Sequence, residues 1–285
     1  MRITRDPAEV RAALRGAERP LGLVPTMGAL HAGHLELLAR ARSECRTVAA
    51  SVFVNPLQFG PNEDFERYPR AFDSDLAALR AAGVDVVYAP DVATMYPPGF
   101  ATTVDPGPVA DGYEGALRPG HFRGVATVCV KLFATVCPDR AYFGAKDAQQ
   151  VAVLRRVVAD LDLPLELVVV PTVREPDGLA LSSRNVYLDA EQRGAAPAIH
   201  RALDAIIRAV RAGETDRERA VARGRAELSP ALREAYLDVV DPETFAATGE
   251  IRPPALAIAS AWLGTTRLID NEPIELDAAL QGERA

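Results

Sequence analysis

The fold of this chain is decided by the stretch Leu21-Gly22-Leu23-Val24-Pro25-Thr26-Met27-Gly28-Ala29-Leu30-His31-Ala32-Gly33-His34. Residues 21–26 form a short apolar run, which predicts a buried strand. From Gly33 onward, leucines alternate with charged residues in the pattern of an amphipathic helix. The stretch therefore predicts a strand, a turn that contains glycine, and a helix, in that order.

The alternation of strands and helices continues outward from this stretch. Further strands are predicted at residues 47–54, 84–88, 140–143 and 165–173. Further helices are predicted at residues 73–82, 123–136 and 144–161. Because apolar strands alternate with helices, we predict an α/β fold with a parallel sheet covered by helices. Ligands of such sheets gather at the carboxyl ends of the strands.

The composition changes after Asn185. A helical stretch is predicted at 195–228, with short strands at 236–240, 256–261 and 266–269. This pattern predicts a second, smaller α+β domain, and we assign residues 1–174 to the first domain and 175–285 to the second. In the first domain, the polar loop 57–70 is long for a connector, which is typical of a lid.

Composition argues against several classes of protein. The net charge of -7 is unlike the basic surface of a nucleic-acid binder. No apolar run is long enough to cross a bilayer, and the N-terminus lacks the apolar core of a signal peptide. The three cysteines, Cys45, Cys129 and Cys137, form no CxxC pair, so we expect reduced, buried thiols. We predict a cytoplasmic protein that binds neither nucleic acid nor membrane.

Two of the four histidines, His31 and His34, flank Gly33 where the strand turns into the helix. Backbone N–H groups are unpaired at such a helix start and the helix dipole is positive there, so a phosphate is stabilised. Imidazoles three residues apart lie on one side of a helical turn, where each can donate a hydrogen bond to a phosphate oxygen. The alternatives are incidental turn histidines or a metal pair, which would need a third ligand.

Two further segments after predicted strands suit a nucleotide. The segment 181–185 combines two hydroxyls with a guanidinium, which fits a triphosphate, although a serine-rich turn that caps a helix is the alternative. In the segment 143–150, Lys146 suits a phosphate and Asp147 a ribose hydroxyl. An ordinary helix start with a solvated Lys-Asp pair is the alternative there.

Uncharged amides suit a hydroxy acid, which needs donors and acceptors together. Asn55 and Gln58 follow the second predicted strand, and Gln150 lies one helical turn beyond Lys146. An Asn-Pro turn is the alternative for Asn55. Asp73 and Asp75 are candidate Mg²⁺ ligands, with a helix N-cap and first-turn acid as the alternative.

Together these segments resemble the pantothenate synthetase (pantoate–β-alanine ligase) family. Residues 25–34 look like its HxGH signature, and the likeness continues through residues 51–59, 118–125, 142–150, 170–175 and 182–185. The resemblance implies a Rossmann-like N-terminal domain with helices on both faces of its sheet, a smaller C-terminal lid domain and a homodimer. It also implies Mg²⁺-dependent condensation of (R)-pantoate with β-alanine, in which ATP is cleaved to AMP and diphosphate through a pantoyl adenylate.

Carried over by position, the resemblance implies the site residues. ATP is expected to contact Pro25, Thr26, Met27, Gly28, Ala29, Leu30, His31, Ala32, Gly33, His34, Gly144, Ala145, Lys146, Asp147, Val173, Leu181, Ser182, Ser183 and Arg184. Among these, the catalytic residues are expected to be His34, His31, Lys146 and Arg184. Pantoate is expected to contact Asn55, Gln58 and Gln150.

Two positions depart from the family pattern. Leu181 stands where the family usually has methionine, which is a near-isosteric change. Ser74 interrupts the acidic cluster of the family, so we expect Mg²⁺ to be carried mainly by the ATP phosphates, with no protein metal ligand. The alternatives to this function are another adenylyltransferase of the same superfamily, or an ATP-sensing protein without turnover.

Overall fold

The computed structural model describes residues 1–61, 63 and 65–275. Its contacts divide the chain into two compact units: residues 1–145 with 149–171 form unit 1, and residues 146–148 with those from 172 onward form unit 2. The predicted domain boundary between residues 174 and 175 stays a proposal. Residues 276–285 of the predicted second domain lie outside the described residues, as do Asn62 and Asp64 of the predicted lid.

Unit 1 is built on a six-stranded parallel sheet. Its strands are β1 (Arg2–Thr4), β2 (Leu21–Thr26), β3 (Thr47–Val52), β4 (Val86–Tyr88), β5 (Arg140–Gly144) and β6 (Glu166–Val170). They lie in the order β1-β4-β3-β2-β5-β6, so β2 is inside the sheet with β3 and β5 on its two sides. The loops that follow β3 and β5 therefore flank the turn that follows β2.

Helices cover both faces of this sheet, as predicted. They are α1 (Pro7–Leu14), α2 (Ala32–Glu44), α3 (Phe72–Ala81), α4 (Val92–Met95), α5 (Glu114–Leu117), α6 (His121–Val136) and α7 (Ala148–Asp160), with 3-10 helices at Pro56–Gln58 and Gly107–Ala110. Because neighbouring residues of a strand point to opposite faces, Leu23 packs in one core with residues of α1, α6 and α7, while Val24 packs in another with residues of α2 and α3. The predicted parallel α/β fold is confirmed.

Unit 1 differs from the sequence predictions in several short elements and in one cysteine. The predictions miss β1 and α1, because β1 has only three residues and α1 buries only Val10 and Leu14. They also miss α4 and α5, which have four residues each. The expectation of three buried thiols is wrong for Cys137, which is exposed, while Cys45 and Cys129 are buried and all three are free. Cys137 follows the last residue of α6 in a left-handed conformation with φ 52°, beyond the apolar face of the helix.

Unit 2 is the smaller α+β unit that was predicted. Its antiparallel sheet contains β7 (Arg233–Val240), β8 (Ala255–Leu263) and β9 (Thr266–Ile274), in that order. A 3-10 helix (Ser183–Tyr187) precedes α8 (Ala190–Ala195), α9 (Ala198–Arg211) and α10 (Arg217–Arg225). The single helical stretch predicted at 195–228 is wrong, because Pro197 interrupts the chain before α9 and Gly213 takes a φ of +98° after it. Among the described residues, no helix combines the length and apolarity needed to cross a membrane.

The backbone of α6 lies directly on the 3-10 helix Pro56–Gln58. A Cβ added to Gly124 would lie 2.2 Å from the carbonyl oxygen of Leu57, which no side-chain movement can relieve. We therefore expect Gly124→Ala to destabilise unit 1 by about 1–3 kcal/mol, measured as a lower thermal midpoint. Gly194→Ala in α8 is the matched control, since an added Cβ meets nothing within 4 Å there and alanine favours a helix. Equal midpoints for the two variants would contradict this close approach.

Candidate functional site

The turn between β2 and α2 is held by the carboxylate of Asp75, which projects from α3. Its Oδ2 accepts a hydrogen bond from the N–H of Ala29 at 2.9 Å, and its Oδ1 accepts one from the N–H of Leu30 at 2.8 Å. Asp75 is only 3% exposed, so water does not compete for these bonds. Gly28 has a φ of +86°, and a Cβ there would lie 2.9 Å from Asp75 Oδ2, so the turn requires glycine at this position.

Backbone N–H groups of this turn are paired within the protein, which corrects the expectation that they are unpaired. Besides the bonds to Asp75, the N–H of Gly28 donates to Thr26 Oγ1 at 3.2 Å. The N–H of His31 donates to His34 Nδ1 at 3.2 Å, and that of Gly33 donates to His31 Nδ1 at 3.1 Å. In this structure these N–H groups donate to side chains, and the contact of residues 25–34 with ATP stays a prediction.

His31 and His34 form a reciprocal cap at the start of α2. Their ring centroids are 4.1 Å apart, so the two imidazoles lie on one side of the turn, as predicted. Each Nδ1 accepts a backbone N–H, which means that it carries no hydrogen. In the neutral ring the hydrogen is therefore on Nε2, and each imidazole has an Nε2–H donor in a defined direction.

Asn55 and Gln58 lie beyond the end of β3, on one side of this turn. Asn55 is 1% exposed, and its amide is fully used: Nδ2 donates to Gln58 Oε1 and to the Gly124 carbonyl, each at 3.1 Å. Its Oδ1 accepts from Tyr96 Oη at 2.7 Å and from the Leu57 N–H at 3.3 Å. Asn55 also caps the 3-10 helix that begins at Pro56, which is the turn-forming alternative. Asn55 thus supports the side chain of Gln58. The predicted contact of Asn55 with pantoate stays a prediction.

The side chain of Gln58 retains hydrogen-bonding capacity. Within the described residues its Oε1 accepts one bond from Asn55, and its Nε2 donates one to Met27 Sδ at 3.2 Å. One N–H and one oxygen lone pair remain, which is the combination that a hydroxy acid requires. Because Asn55 donates to Oε1, the orientation of the Gln58 amide is fixed.

The main-chain carbonyl of Gln58 is held by Arg118, which follows α5, and by His121, the first residue of α6. His121 Nδ1 donates to it at 2.8 Å and Arg118 Nη2 donates at 3.2 Å. The Nη1 of Arg118 also lies 3.0 Å from His121 Nε2. Since a guanidinium can only donate, Nε2 is the acceptor and the single ring hydrogen is on Nδ1. Burial, followed by the charge of Arg118, lowers the pKa of His121 to about 4.

Glu63 fixes Arg118 in turn. Its two carboxylate oxygens accept from Nε at 2.7 Å and Nη2 at 2.6 Å of Arg118, a bidentate pair. Burial raises the pKa of Glu63, but the hydrogen bonds and charge of Arg118 outweigh it, so the pKa lies below its usual value. Glu63 thereby connects the loop that follows Gln58 to Arg118, which donates to the Gln58 carbonyl.

Gln150 lies in the first turn of α7, after β5 and thus on the other side of the central turn. Its neighbour Gln149 is 3% exposed and serves the fold: Oε1 accepts from the Glu114 N–H at 2.9 Å, and Nε2 donates to the carbonyls of Val109 and Gly112. Gln150 is only partly buried. Adjacent glutamines therefore have different surroundings, and Gln150 is the one that a ligand can reach.

A cavity of about 300 Å³ in unit 1 borders the turn on the side of α3. Its walls come from the carboxyl ends of β2, β3 and β4, from the residues before α3 and from the first turn of α3. They include Met27, Gly28, Val52, Val54, Arg70, Asp75 and Pro90. The candidate site therefore lies at the edge of the sheet where ligands of parallel sheets gather.

In unit 2, the structure brings together Lys146 and Ser182, which line one small cavity with His200 and Asp270. Ser182 caps the 3-10 helix that contains Ser183 and Arg184, as the capping alternative predicts: its Oγ accepts from the Arg184 N–H at 3.2 Å. The carbonyl of Lys146 accepts from Asn271 Nδ2 at 2.8 Å.

Val173 and Leu181 face each other across a hairpin, where the Leu181 N–H donates to the Val173 carbonyl at 2.9 Å. Arg174 anchors this hairpin to β9 through a bidentate pair with Asp270 at 2.7 and 3.0 Å. Burial opposes the charge of Arg174, but its bonds to Asp270 and the nearby Glu272 raise its pKa. Gly144 ends β5, the Ala145 N–H donates to the Val170 carbonyl at 2.8 Å, and Asp147 is exposed.

The two acidic residues at the start of α3 lie in different surroundings. Asp73 is exposed, whereas Asp75 is buried and uses both oxygens on backbone N–H groups. Residues two apart on a helix point in different directions. In the part of the chain that the structure describes, no three His, Cys, Asp or Glu side chains gather into a metal-binding group.

A comparison with protein families identifies relatives of this chain: residues 2–273 match the family model described as pantoate-beta-alanine ligase. The chain belongs to the pantoate–β-alanine ligase family. Pantothenate synthetases of Acidobacterium capsulatum and Chloroflexus aurantiacus are similar to it, with 52% identity over 287 residues and 54% over 278. These matches cover 95% and 96% of this chain, and 96% and 99% of the relatives.

Solved structures of the family agree with the fold. The pantothenate synthetase of Thermus thermophilus matches with a TM-score of 0.93 and 51% identity, over 97% of this chain and all of that one. A pantoate-beta-alanine ligase of Francisella tularensis, complexed with beta-gamma ATP and beta-alanine, matches with a TM-score of 0.79 and 32% identity, over 97% and 99% of the two chains. The resemblance to this family is confirmed.

Sequence reasoning missed the residues that hold the ligase-family segments in place. Asp75 was considered only as a Mg²⁺ ligand or a helix-start acid, and no role was predicted for Gln149, which bonds to the backbone at residues 109–114. Arg118 and His121 occur in a segment that resembles the family, and they precede an apolar helix. Polar residues directly before an apolar helix were the signal that could have indicated a role for them. Their common target, the Gln58 carbonyl, could not be predicted because it is about 60 residues away in sequence.

The low pKa of His121 predicts a stability that depends on pH. The unfolded chain takes up a proton near the usual His pKa of 6.5, but the folded chain does so only near 4, so stability is lost as the pH falls. Between about pH 6.5 and 4.5 the loss from His121 is about 2 kcal/mol. We expect the thermal midpoint of unit 1 to fall by about 4–8 °C more in the wild type than in His121→Asn, which has no titratable group there. Parallel curves for the two proteins would rule out a neutral, buried His121.

Proposed function

We propose that this chain condenses (R)-pantoate with β-alanine at the expense of ATP, giving pantothenate, AMP and diphosphate. One observation carries the proposal: in a chain of this family, the turn that bears the His31–His34 imidazole pair contacts Gln58 through Met27, and the Gln58 amide has one donor and one acceptor beyond these bonds. Imidazole N–H groups suit phosphate oxygens, and the Gln58 amide suits a hydroxy acid.

In the first step a carboxylate oxygen of pantoate attacks the α-phosphorus of ATP. The new bond joins that oxygen to phosphorus, the bond to the bridging oxygen of diphosphate breaks, and diphosphate leaves with the electron pair. His31 and His34 donate from Nε2 to phosphate oxygens that gain charge, while Gln58 and Gln150 align pantoate. Catalysis of this kind consists mostly of positioning and charge stabilisation.

In the second step the amine of β-alanine attacks the carbonyl carbon of the pantoyl adenylate. A C–N bond forms, the C–O bond to the phosphate breaks, and AMP leaves with that oxygen. The amine proton goes to solvent. We assign to the loop 57–70 and to unit 2 the role of keeping water away from the adenylate, which water would hydrolyse.

The remaining roles stay proposals that rest on the family resemblance. Lys146, Ser182, Ser183 and Arg184 are assigned to the phosphates of ATP, and Gly144, Ala145, Asp147, Val173 and Leu181 to the rest of the nucleotide. Because both oxygens of Asp75 are engaged and Asp73 points elsewhere, Mg²⁺ is assigned to the ATP phosphates. A homodimer and a cytoplasmic location are also proposed; three free thiols fit a reducing compartment.

The test of the function is AMP release from MgATP, with pantoate and β-alanine omitted in turn. We expect multiple-turnover release only with both substrates, and exchange of labelled diphosphate into ATP with pantoate alone. Release of a dinucleotide-like product, or exchange that appears only with β-alanine, would overturn the proposal.

Substitutions of His34 separate its donor from its capping role. His34→Asn retains an acceptor near the Nδ1 position for the His31 N–H but loses the Nε2–H donor, so we expect kcat to fall about 10²–10³-fold with the thermal midpoint unchanged. His34→Gln, whose amide N–H can reach the Nε2 position, should retain more activity. Turnover close to the wild type in His34→Asn would contradict the assigned donor.

Asp75→Asn tests whether the shape of the turn matters for ATP. Asparagine can accept only one of the two backbone N–H bonds and turns an NH₂ group toward the other, so we expect kcat/KM for ATP to fall about 10–100-fold. Asp73→Asn is the matched control, with the same change at an exposed position of the same helix. If both variants retain the wild-type kcat/KM, Asp75 does not shape the site.

A further inference from the structure

We propose that Arg118 and His121 are positioning residues for pantoate, which act by holding the main-chain carbonyl of Gln58. The inference rests on the proposed function, in which Gln58 binds pantoate. Neither residue touches the substrate in this account. They determine where the Gln58 side chain points, and thereby how tightly the hydroxy acid is bound.

The first step of the argument is that one carbonyl accepts two donors. His121 Nδ1 at 2.8 Å and Arg118 Nη2 at 3.2 Å together use both lone pairs of the Gln58 oxygen. Gln58 is 8% exposed and His121 is 9% exposed, so these bonds form where water does not replace them. Such bonds are costly to remove because the buried partner is left unsatisfied.

The second step is that the donor on His121 is permanent at neutral pH. Arg118 Nη1 donates to Nε2, so the ring hydrogen stays on Nδ1 and points at the Gln58 carbonyl. The charged groups that face the ring are Arg118 from the preceding turn, Glu63 from the loop and Glu114 from α5. Burial and Arg118 prevail over the two carboxylates, and the imidazole remains neutral.

The third step is that the chain is fixed on both sides of Gln58. Before it, the carbonyl of Leu57 lies against the backbone of α6 at Gly124, with no room for a Cβ. After it, Glu63 forms a bidentate pair with Arg118, whose side chain is 10% exposed. These contacts hold the backbone of Gln58, and together with the bond from Asn55 to Oε1 they set the direction of its remaining N–H and lone pair.

A matched pair of His121 variants tests the inference. The amide N–H of asparagine occupies the place of Nδ1–H, whereas that of glutamine falls near Nε2, toward the guanidinium. For His121→Asn we expect a KM for pantoate within about twofold of the wild type. For His121→Gln we expect that KM to rise about tenfold, with the KM for ATP within twofold, since loss of one such bond changes affinity about tenfold.

Arg118→Lys provides a second, independent variant, because it retains a charge for Glu63 but loses the planar fork. It should also raise the KM for pantoate more than the KM for ATP. The inference is overturned if pantoate KM is unchanged in both His121→Gln and Arg118→Lys, or if the KM values for pantoate and ATP rise together in all three variants.

Failure of the inference can be told apart from failure of the proposed function. The wild type is assayed first for AMP release with pantoate and β-alanine. If the wild type shows no such release, the proposed function fails, and the inference fails with it. If the wild type is active and the variants bind pantoate as it does, by titration calorimetry as well as kinetics, only the inference fails.

Discussion

Two hydrogen bonds, from the backbone N–H groups of Ala29 and Leu30 to the buried carboxylate of Asp75, set the shape of the turn on which the rest of the site depends. The turn follows β2 inside the sheet, so the segments after β3 and β5 are arranged around it. Gly28 and Ala29 both have positive φ values, of 86° and 52°. Glycine adopts this conformation readily, but Ala29 does so only when its surroundings hold it. These bonds fix the backbone that leads into His31 and His34, and thereby the direction of the two imidazoles.

The same principle recurs at Gln58, where buried groups hold main-chain atoms and leave part of a side chain for a ligand. At the turn, backbone N–H groups fix the tautomers of His31 and His34, so that Nε2 is the donor. At the start of α6, Arg118 fixes the opposite tautomer in His121, so that Nδ1 is the donor. Three of the four histidines of the chain thus have assigned roles that follow from which ring nitrogen carries the hydrogen.

The sequence alone was sufficient for features that depend on local pattern. The apolar run 21–26 and the change of period at Gly33 predicted the central strand, turn and helix, and the segments that resemble the family predicted its chemistry. Features that depend on distant partners were not accessible. Asp75 pairs with residues about 45 positions away, and nothing in its surroundings in sequence distinguishes it from Asp73. In the same way, the sequence indicated Gln150 but no role for its neighbour Gln149, whose backbone partners at Val109 and Gly112 are about 40 positions away. Short or weakly buried elements such as β1 and α1 also leave little signal.

The central claim is that this site activates the carboxylate of pantoate by transfer of an adenylyl group. The most direct test is the fate of ¹⁸O in pantoate whose carboxylate oxygens are both labelled. After complete turnover with ATP and β-alanine, mass spectrometry of the products locates the label. The account predicts one ¹⁸O in AMP, one in the amide carbonyl of pantothenate, and none in diphosphate. Unlabelled AMP, with ¹⁸O in diphosphate or orthophosphate, would show attack at a different phosphorus and contradict the account.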